Sequence, residues 1–436
     1  MATPTVAIIG RPNVGKSTFF NRVLGVKRAV VHNRPGITRD RNTARAEWSG
    51  RHFLLVDTGG FLPAASEGRD AEVRKQAEMA IGLADVVLFM VDGLTGVTDL
   101  DNAIGQSLRR RGSRCLLIVN KVDKHGNPVE HEFHRLGLGE PIAISSEGGL
   151  GIGDLLDRVV ELLPPDSGPD DEGVPRIAIV GRPNVGKSSL VNALLREERV
   201  IVEASAGTTM DSIDTRWSTN EGDFILIDTA GIRRQAQFKD EAEFFAVLRA
   251  IQAMERSDVA CLIVDATHGF QRQEARLAQD ALEAGRAVQL LYNKWDLMTE
   301  REQTWKALQA DRERRFPTLA DLPAIPISAT ERTHIQKLPK LFKGRMDQMT
   351  RAVPTAQLNK WLEDVQRRRQ IPSNRLGRAP RLYYMTQSGK RPPEFTFFVN
   401  GPERLNESYR RFLWSQFVDR FDFQGTPIRF RYRKSQ

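Results

Sequence analysis

Two lysines sit in nearly identical stretches of nine residues, Lys16 in "GRPNVGKST" and Lys187 in "GRPNVGKSS". The first runs Gly10, Arg11, Pro12, Asn13, Val14, Gly15, Lys16, Ser17, Thr18; the second runs Gly181, Arg182, Pro183, Asn184, Val185, Gly186, Lys187, Ser188, Ser189. Both fit Gly-x-x-x-x-Gly-Lys-Ser, and the chemistry this pattern serves is phosphate binding. The glycines let the backbone curl until several N–H groups converge on phosphate oxygens. The lysine sets a point charge on β- and γ-phosphates, and the serine hydroxyl offers a ligand to Mg2+.

Other residues repeat with them. Asp57, Thr58, Gly59, Gly60 and Phe61 follow one apolar run; Asp228, Thr229, Ala230, Gly231 and Ile232 follow another. At that position a carboxylate reaches the metal through water, and the N–H of Gly60 or Gly231 senses the γ-phosphate. Asn120, Lys121, Val122 and Asp123 recur as Asn293, Lys294, Trp295 and Asp296. These choose the base. Guanine presents two donors, N1–H and the N2 amine, that one carboxylate accepts together. Adenine would leave Asp123 or Asp296 buried and unpaired, at a cost of several kcal/mol. The expected nucleotide is therefore GTP. Ser145 and Ser146, like Ser328 and Ala329, follow the last strand of each copy and are expected to meet the base through backbone groups. Thr38 and Thr209 each lie 28 residues beyond the first loop glycine. They are expected to join Mg2+ only while the γ-phosphate is present. The expected metal sets are Ser17, Thr38 and Asp57, and Ser188, Thr209 and Asp228.

Positioning these groups takes strands that end at the motifs and helices that carry the chain back. "TVAIIG" and "RIAIVG" precede the two loops, and "STFFNRVLG" and "SSLVNALLR" follow with helical spacing. Strands alternating with helices predict an α/β fold, a mostly parallel sheet with helices on both faces. The loops and the aspartates repeat at an offset of 171 residues, the base-reading motifs at 173. A period this long is a duplicated domain. The expected organisation is a first domain over 1–163, an acidic flexible linker "PPDSGPDDEGVP" over 164–175, a second domain over 176–344, and a smaller α+β domain over 345–436. In the last, "TAQLNKWLEDVQRRR" and "PERLNESYRRFLWSQFVDRF" read as helices. "RLYYMTQ", "TFFVN" and "PIRFRYR" read as strands.

Charge separates the same segments. The chain of 436 residues has a formal net charge of +9. From Arg345 onward 19 Lys and Arg face 8 Asp and Glu, a net +11, and the remainder is slightly acidic at −2. A basic terminal domain points to an anionic partner, of which nucleic acid is the commonest; the alternative is a solvated basic surface. Cys115 and Cys261 each open an apolar run and read as buried strand residues. No apolar run is long enough to span a bilayer and no secretory signal is visible, so a cytoplasmic protein is expected.

With the doubled "GRPNVGKS", "DTxG" and "NKxD" on the page, the chain resembles the Der (EngA) family, Era-like bacterial GTPases with tandem G domains. The similarity spans the whole length. It implies two P-loop G domains and a C-terminal KH-like domain. It also implies GTP hydrolysis coupled to late assembly of the large ribosomal subunit, through ribosomal RNA and proteins. Many small GTPases place a glutamine where this chain has Phe61 and Ile232, and neither side chain can orient water, so a slow intrinsic rate is expected. The resemblance offers K+ instead, held with Asn13 and Asn184; the alternative is that each asparagine supports its turn. The copies differ where Pro35 and Arg39 become Ala206 and Met210. No Gly-x-x-Gly occurs between Arg345 and Gln436, so the KH-like domain is expected to grip phosphates without reading bases, or to pack partly on a G domain. A monomer is expected. The rival reading is a GTP-loaded RNA- or ribosome-binding scaffold in which hydrolysis is incidental. A membrane-associated or tRNA-modifying GTPase would need a membrane helix or an appended catalytic cysteine, and neither is visible.

Overall fold

Short apolar runs ending at the motifs become strands buried on both faces. β1 (Thr5–Ile9) and β4 (Val86–Asp92) are buried at every residue, as parallel strands covered by helices on both sides must be. The structure, a computed structural model, describes residues 3–25, 42–61, 69–122, 130–165, 173–196, 214–229, 243–371 and 380–434. The expected linker positions 166–172, and Thr38, Asp123, Thr209, Ala230, Gly231 and Ile232, lie outside the described residues. The chain divides into two compact units, Met1–Asp170 and Asp171–Gln436.

In the first unit the sheet order is β2-β3-β1-β4-β5-β6. β2 (Thr43–Trp48) is antiparallel to β3 (Arg51–Asp57). β3, β1, β4, β5 (Cys115–Asn120) and β6 (Ile142–Ala143) run parallel. Val6, Ile8, Leu55, Leu88 and Ile118 point to one face, covered by Phe19, Phe20 and Val23 of helix Lys16–Gly25 and by Leu155, Leu156 and Val159 of helix Ile152–Leu162. Helix Arg69–Leu83 lies against β1 and against helix Asp99–Arg111. After β1 the chain moves first to one side of that strand and then, at β4, to the other. The loop leaving β1 therefore opens at the crevice where open α/β sheets bind ligands.

The second unit repeats this order as β12-β11-β10-β7-β9-β8. Its strands are β7 (Arg176–Val180), β8 (Thr215–Thr219), β9 (Gly222–Ile227), β10 (Val259–Asp265), β11 (Ala287–Asn293) and β12 (Ala324–Pro326). Helix Leu338–Thr350 runs through the expected domain boundary at 344/345, and its Met346 and Met349 sit in the core of this sheet. The helix's apolar face thus draws six residues past that point, and the next core begins at Val353.

The C-terminal part has a sheet ordered β13 (Leu382–Gly389), β14 (Glu394–Val399), β15 (Arg429–Lys434). β13 and β14 are antiparallel, β14 and β15 parallel. Helices Thr355–Arg368 and Glu407–Phe421 supply Leu358, Trp361, Leu362, Tyr409, Leu413 and Phe417 to a core that also holds Phe395 and Phe397. The helix expected from Pro402 starts only at Glu407. A single turn, Pro402–Arg404, comes first, and Asn406 then accepts the N–H of Tyr409 at 2.8 Å, an N-cap that sets the start.

This part is fastened to the second sheet. Val288 N–H donates to Gly425 O at 2.7 Å, Arg345 Nη1 to Gln424 O at 2.6 Å and Gln348 Nε2 to Asp422 O at 2.9 Å. A Cβ on Gly425 would lie 2.4 Å from Pro323 Cδ, so only glycine allows the approach. Cys261 is buried as expected, whereas Cys115 is only half-buried. Desolvation raises both thiols, Cys115 to about 12, which suits packing and not thiolate chemistry. Among the described residues no helix is long and apolar enough to cross a membrane.

Candidate nucleotide sites

Each loop is held by glycines that nothing else could replace. Gly10 has φ +144° and a Cβ there would sit 2.2 Å from Met90 O; Gly181, at φ +151°, would strike Ile263 O at 2.6 Å. Asn13 and Asn184 occupy the left-handed region at φ 66° and 63°, exposed at the loop tips.

The two lysines close over their own loops. Lys16 Nζ donates to Gly10 O and Arg11 O, both at 2.8 Å. Lys187 Nζ donates to Gly181 O at 2.9 Å and Arg182 O at 2.7 Å. Burial lowers each ammonium to about 8; at Lys16 the Asp57 carboxylate works in the opposite direction. An ammonium drawn out of water and hydrogen-bonded to neutral carbonyls is poised for a more negative partner.

Beside Lys16, Ser17 Oγ donates to Asp57 Oδ2 at 2.5 Å, and Gly59 N–H donates to Asp57 Oδ1 at 2.8 Å. Asp57 is fully buried. A single carboxylate with a single hydroxyl suits a cation that takes its remaining oxygen ligands from phosphates and water, as Mg2+ does. Among the described residues no cluster of three or more His, Cys, Asp or Glu could hold a metal by itself.

On the base side one asparagine ties two loops together. Asn120 Nδ2 donates to Val14 O at 2.7 Å, and its Oδ1 accepts Ser146 N–H at 2.9 Å. Asn293 does the same with Val185 O at 2.8 Å and Ala329 N–H at 2.9 Å. Lys121 and Lys294 adopt φ 70° and 64° and reach Asp92 and Asp265, each at 2.6 Å. Burial pushes those two carboxyls up, but the lysine and loop hydrogen bonds outweigh it and hold both below the usual range. Ser328 Oγ donates to Asp296 Oδ1 at 2.5 Å and so orients the carboxylate expected to read the base. Val122 and Trp295 are buried, Trp295 against Trp305. Thr58 Oγ1 donates to Ile8 O, whereas Thr229 pairs with Thr215. Gly60 and Phe61 continue the turn after Thr58. Pro12 and Pro183 ride the loop shoulders, and Thr18 and Ser189 are exposed on the first helical turn.

Two acids escaped the sequence reading. The guanidinium of Arg11 meets Asp101 at 3.4 Å, and that of Arg182 meets Glu274. Both carboxylates are fully buried. Each also closes the N-terminus of its helix, with Thr98 or Gln271 as the other half of the box. The Thr-x-x-Asp and Gln-x-x-Glu spacings are those of helix caps, and nothing in them marks a second use as anchors for the loop arginines.

Residues 5–121 and 176–294 match a family model described as "50S ribosome-binding GTPase". Residues 352–433 match one described as "KH-domain-like of EngA bacterial GTPase enzymes, C-terminal". The chain is similar to GTPase Der of Desulforamulus reducens, 42% identical across 100% of this chain and 99% of that one. It is 44% identical to GTPase Der of Moorella thermoacetica, across 100% of both. Among solved structures, Era of Aquifex aeolicus bound to GDP and aluminium fluoride aligns at 20% identity and a TM-score of 0.30, over 60% of this chain and 93% of that one. Two G domains with complete phosphate loops and a KH-like domain, matched end to end by such relatives, place the chain in the Der (EngA) family of GTPases.

Proposed function

We propose that this GTPase acts in assembly of the large ribosomal subunit, as a cytoplasmic monomer whose two nucleotide states govern contacts with ribosomal RNA and proteins. What carries the reading is that both G domains match the ribosome-binding GTPase family, in a chain whose last domain holds the positive charge.

In each site the loop N–H groups and Lys16 or Lys187 receive the β- and γ-phosphates. Asp123 and Asp296 select guanine. Mg2+ would be held by Ser17, Thr38 and Asp57, and by Ser188, Thr209 and Asp228, and would supply positive charge between the phosphates. Thr38 and Thr209, with the N–H groups of Gly60 and Gly231, sense the γ-phosphate. Phe61 and Ile232 cannot orient water, so the intrinsic rate is slow. Asn13 and Asn184 would help hold a K+ ion that offsets developing charge. Hydrolysis is expected to be faster in K+ than in Na+ at matched ionic strength; equal rates would remove K+ from the reading. For the partner, gradient sedimentation with large-subunit precursors should show the chain bound with a non-hydrolysable GTP analogue and released with GDP. Sedimentation independent of nucleotide would sink the assembly reading.

The same Phe61 and Ile232 favour one alternative, a GTP-loaded scaffold in which hydrolysis is incidental. A variant that binds GTP but cannot hydrolyse it separates the two, because only the scaffold keeps full activity in cells.

A further inference from the structure

The three-stranded C-terminal sheet carries its core on one face only, and the other face is built from an unusual set of side chains. A register irregularity between Leu382 and Tyr384 inserts an extra residue, so both Tyr383 and Tyr384 turn outward. They are 48% and 42% exposed, among the few large apolar side chains so exposed in the described residues. Tyr384 pairs across the sheet with Phe398, and Phe398 pairs with Arg433. The Tyr384 and Phe398 rings are stacked, centroids 4.2 Å apart and planes within 13°. The next row on this face is Thr386, Thr396 and Arg431, the last paired with Glu394 at 2.6 Å. At the near edge the Arg381 guanidinium lies 5.6 Å from the Tyr383 ring. The fold does not need these rings, because the core of Phe395, Phe397 and Val399 lies on the opposite face.

Flat rings flanked by exposed arginines, on a domain of net charge +11, complement one class of ligand. Unpaired bases stack on aromatic faces while their phosphates meet cations. A structured duplex hides its bases and has no use for a stacking ring.

We propose that this sheet face is a platform for single-stranded RNA, with Tyr384 and Phe398 stacking a base and Arg433 meeting its phosphate. It would supply a grip in a domain that lacks a Gly-x-x-Gly loop. The proposal rests on the ribosomal-RNA reading above and adds which RNA and which residues.

The test uses the full chain with fluorescein-labelled oligouridylate of about twelve nucleotides, within the size one such surface covers, and an RNA duplex of the same length. Tyr384→Leu keeps the apolar contact with Phe398 but removes the ring. It should weaken oligouridylate binding about tenfold, the scale of one lost stack, and leave duplex binding and GTP hydrolysis unchanged. Tyr384→Phe should bind like the unaltered chain. Arg433→Gln should weaken both RNAs and flatten the salt dependence. If Tyr384→Leu binds oligouridylate as tightly as the unaltered chain, the platform is refuted while RNA binding stands. If the unaltered chain binds neither the oligomer nor deproteinised ribosomal RNA in a salt-sensitive way, both fall. If the variant loses ribosomal particles but keeps free RNA, the face meets protein and the proposal fails. Should a lowered thermal midpoint spoil the variant, a 4-thiouridine oligomer crosslinked to the unaltered chain decides: attachment within β13 or β14 supports the platform, and attachment only elsewhere overturns it.

Discussion

The two candidate nucleotide sites agree at the loop lysine and the base-side asparagine and part company at the aspartate expected to face the metal. In the first, Asp57 ends β3, fully buried, and takes both the Ser17 hydroxyl and the Gly59 N–H. Its own N–H goes to the backbone carbonyl of Asn42 at 2.8 Å. In the second, Asp228 falls one residue past β9 at φ 55° and is half-buried. Its N–H donates instead to the Asp214 carboxylate at 3.1 Å, and Asp214 pairs with Arg256 at 2.5 Å. A strand end fixed by backbone in one copy is fixed by an ion pair in the other. The two copies keep the loop and base-side geometry closely and differ in the half expected to face the γ-phosphate, where the sequence also changes Pro35 to Ala206 and Arg39 to Met210.

The largest effects should test whether the shared half works alike in both copies. Lys16→Ala and Lys187→Ala should each weaken GTP binding at their own site at least about a hundredfold. Titration calorimetry would then show one site remaining of two; loss of both from one substitution would mean that the sites are not separable. Proton linkage follows from the same lysines. Free protein loses the ammonium proton as pH rises through about 8, while phosphate favours the charged form. Binding therefore takes up a proton above that pH. Affinity should be flat below pH 8 and fall by up to about tenfold per unit above it at both sites. Next come the buried anchors. Arg11→Ala and Arg182→Ala each strand a buried carboxylate and should destabilise their own unit by about 3 kcal/mol, read as a shift in that unit's urea transition. A shift in Arg11→Ala but none in Arg182→Ala would break the equivalence of the anchors.

Much of this was legible because the chemistry is local. The phosphate loops, the aspartates and the base-reading stretches each sit within a few residues, and apolar runs of five to seven residues announce their strands. What escaped were pairings between distant positions. Arg11 with Asp101, and Asp214 with Arg256, depend on which helix end faces which loop, and no spacing rule carries that across tens of residues. The helix start at Glu407 was hidden because Pro402 and Asn406 are both good initiators and only the Asn406 hydrogen bond decides between them. The boundary drawn at 344/345 cuts helix Leu338–Thr350, whose apolar face carries Met346 and Met349 into the core of the second sheet, a packing that the basic composition beyond Arg345 does not reveal.

The ion pair peculiar to the second site gives a smaller effect. Asp214→Ala removes the acceptor of the Asp228 N–H and the partner of Arg256, a loss of about 1–2 kcal/mol. Nucleotide affinity should fall about tenfold at the second site and not at all at the first. Equal losses at both would show that the aspartate ends are coupled and not independently built.

The smallest difference is one oxygen. Ser146 and Ala329 occupy matching places, each donating its N–H to the asparagine that clamps the loop. Ser146 is 2% exposed, and its hydroxyl is buried with no hydrogen-bond partner among the described residues. An unpaired buried hydroxyl costs stability, and a methyl group of similar size does not. Ser146→Ala should therefore stabilise the nucleotide-free first unit by about 1 kcal/mol, and Ala329→Ser should destabilise the second by as much. Repeating both melts with saturating GDP sharpens the point. If the gain from Ser146→Ala disappears on loading while the cost of Ala329→Ser persists, the hydroxyl finds a partner in the first site that the second does not offer. The two guanine pockets would then differ in a hydrogen bond, and a preference between sites would follow from it.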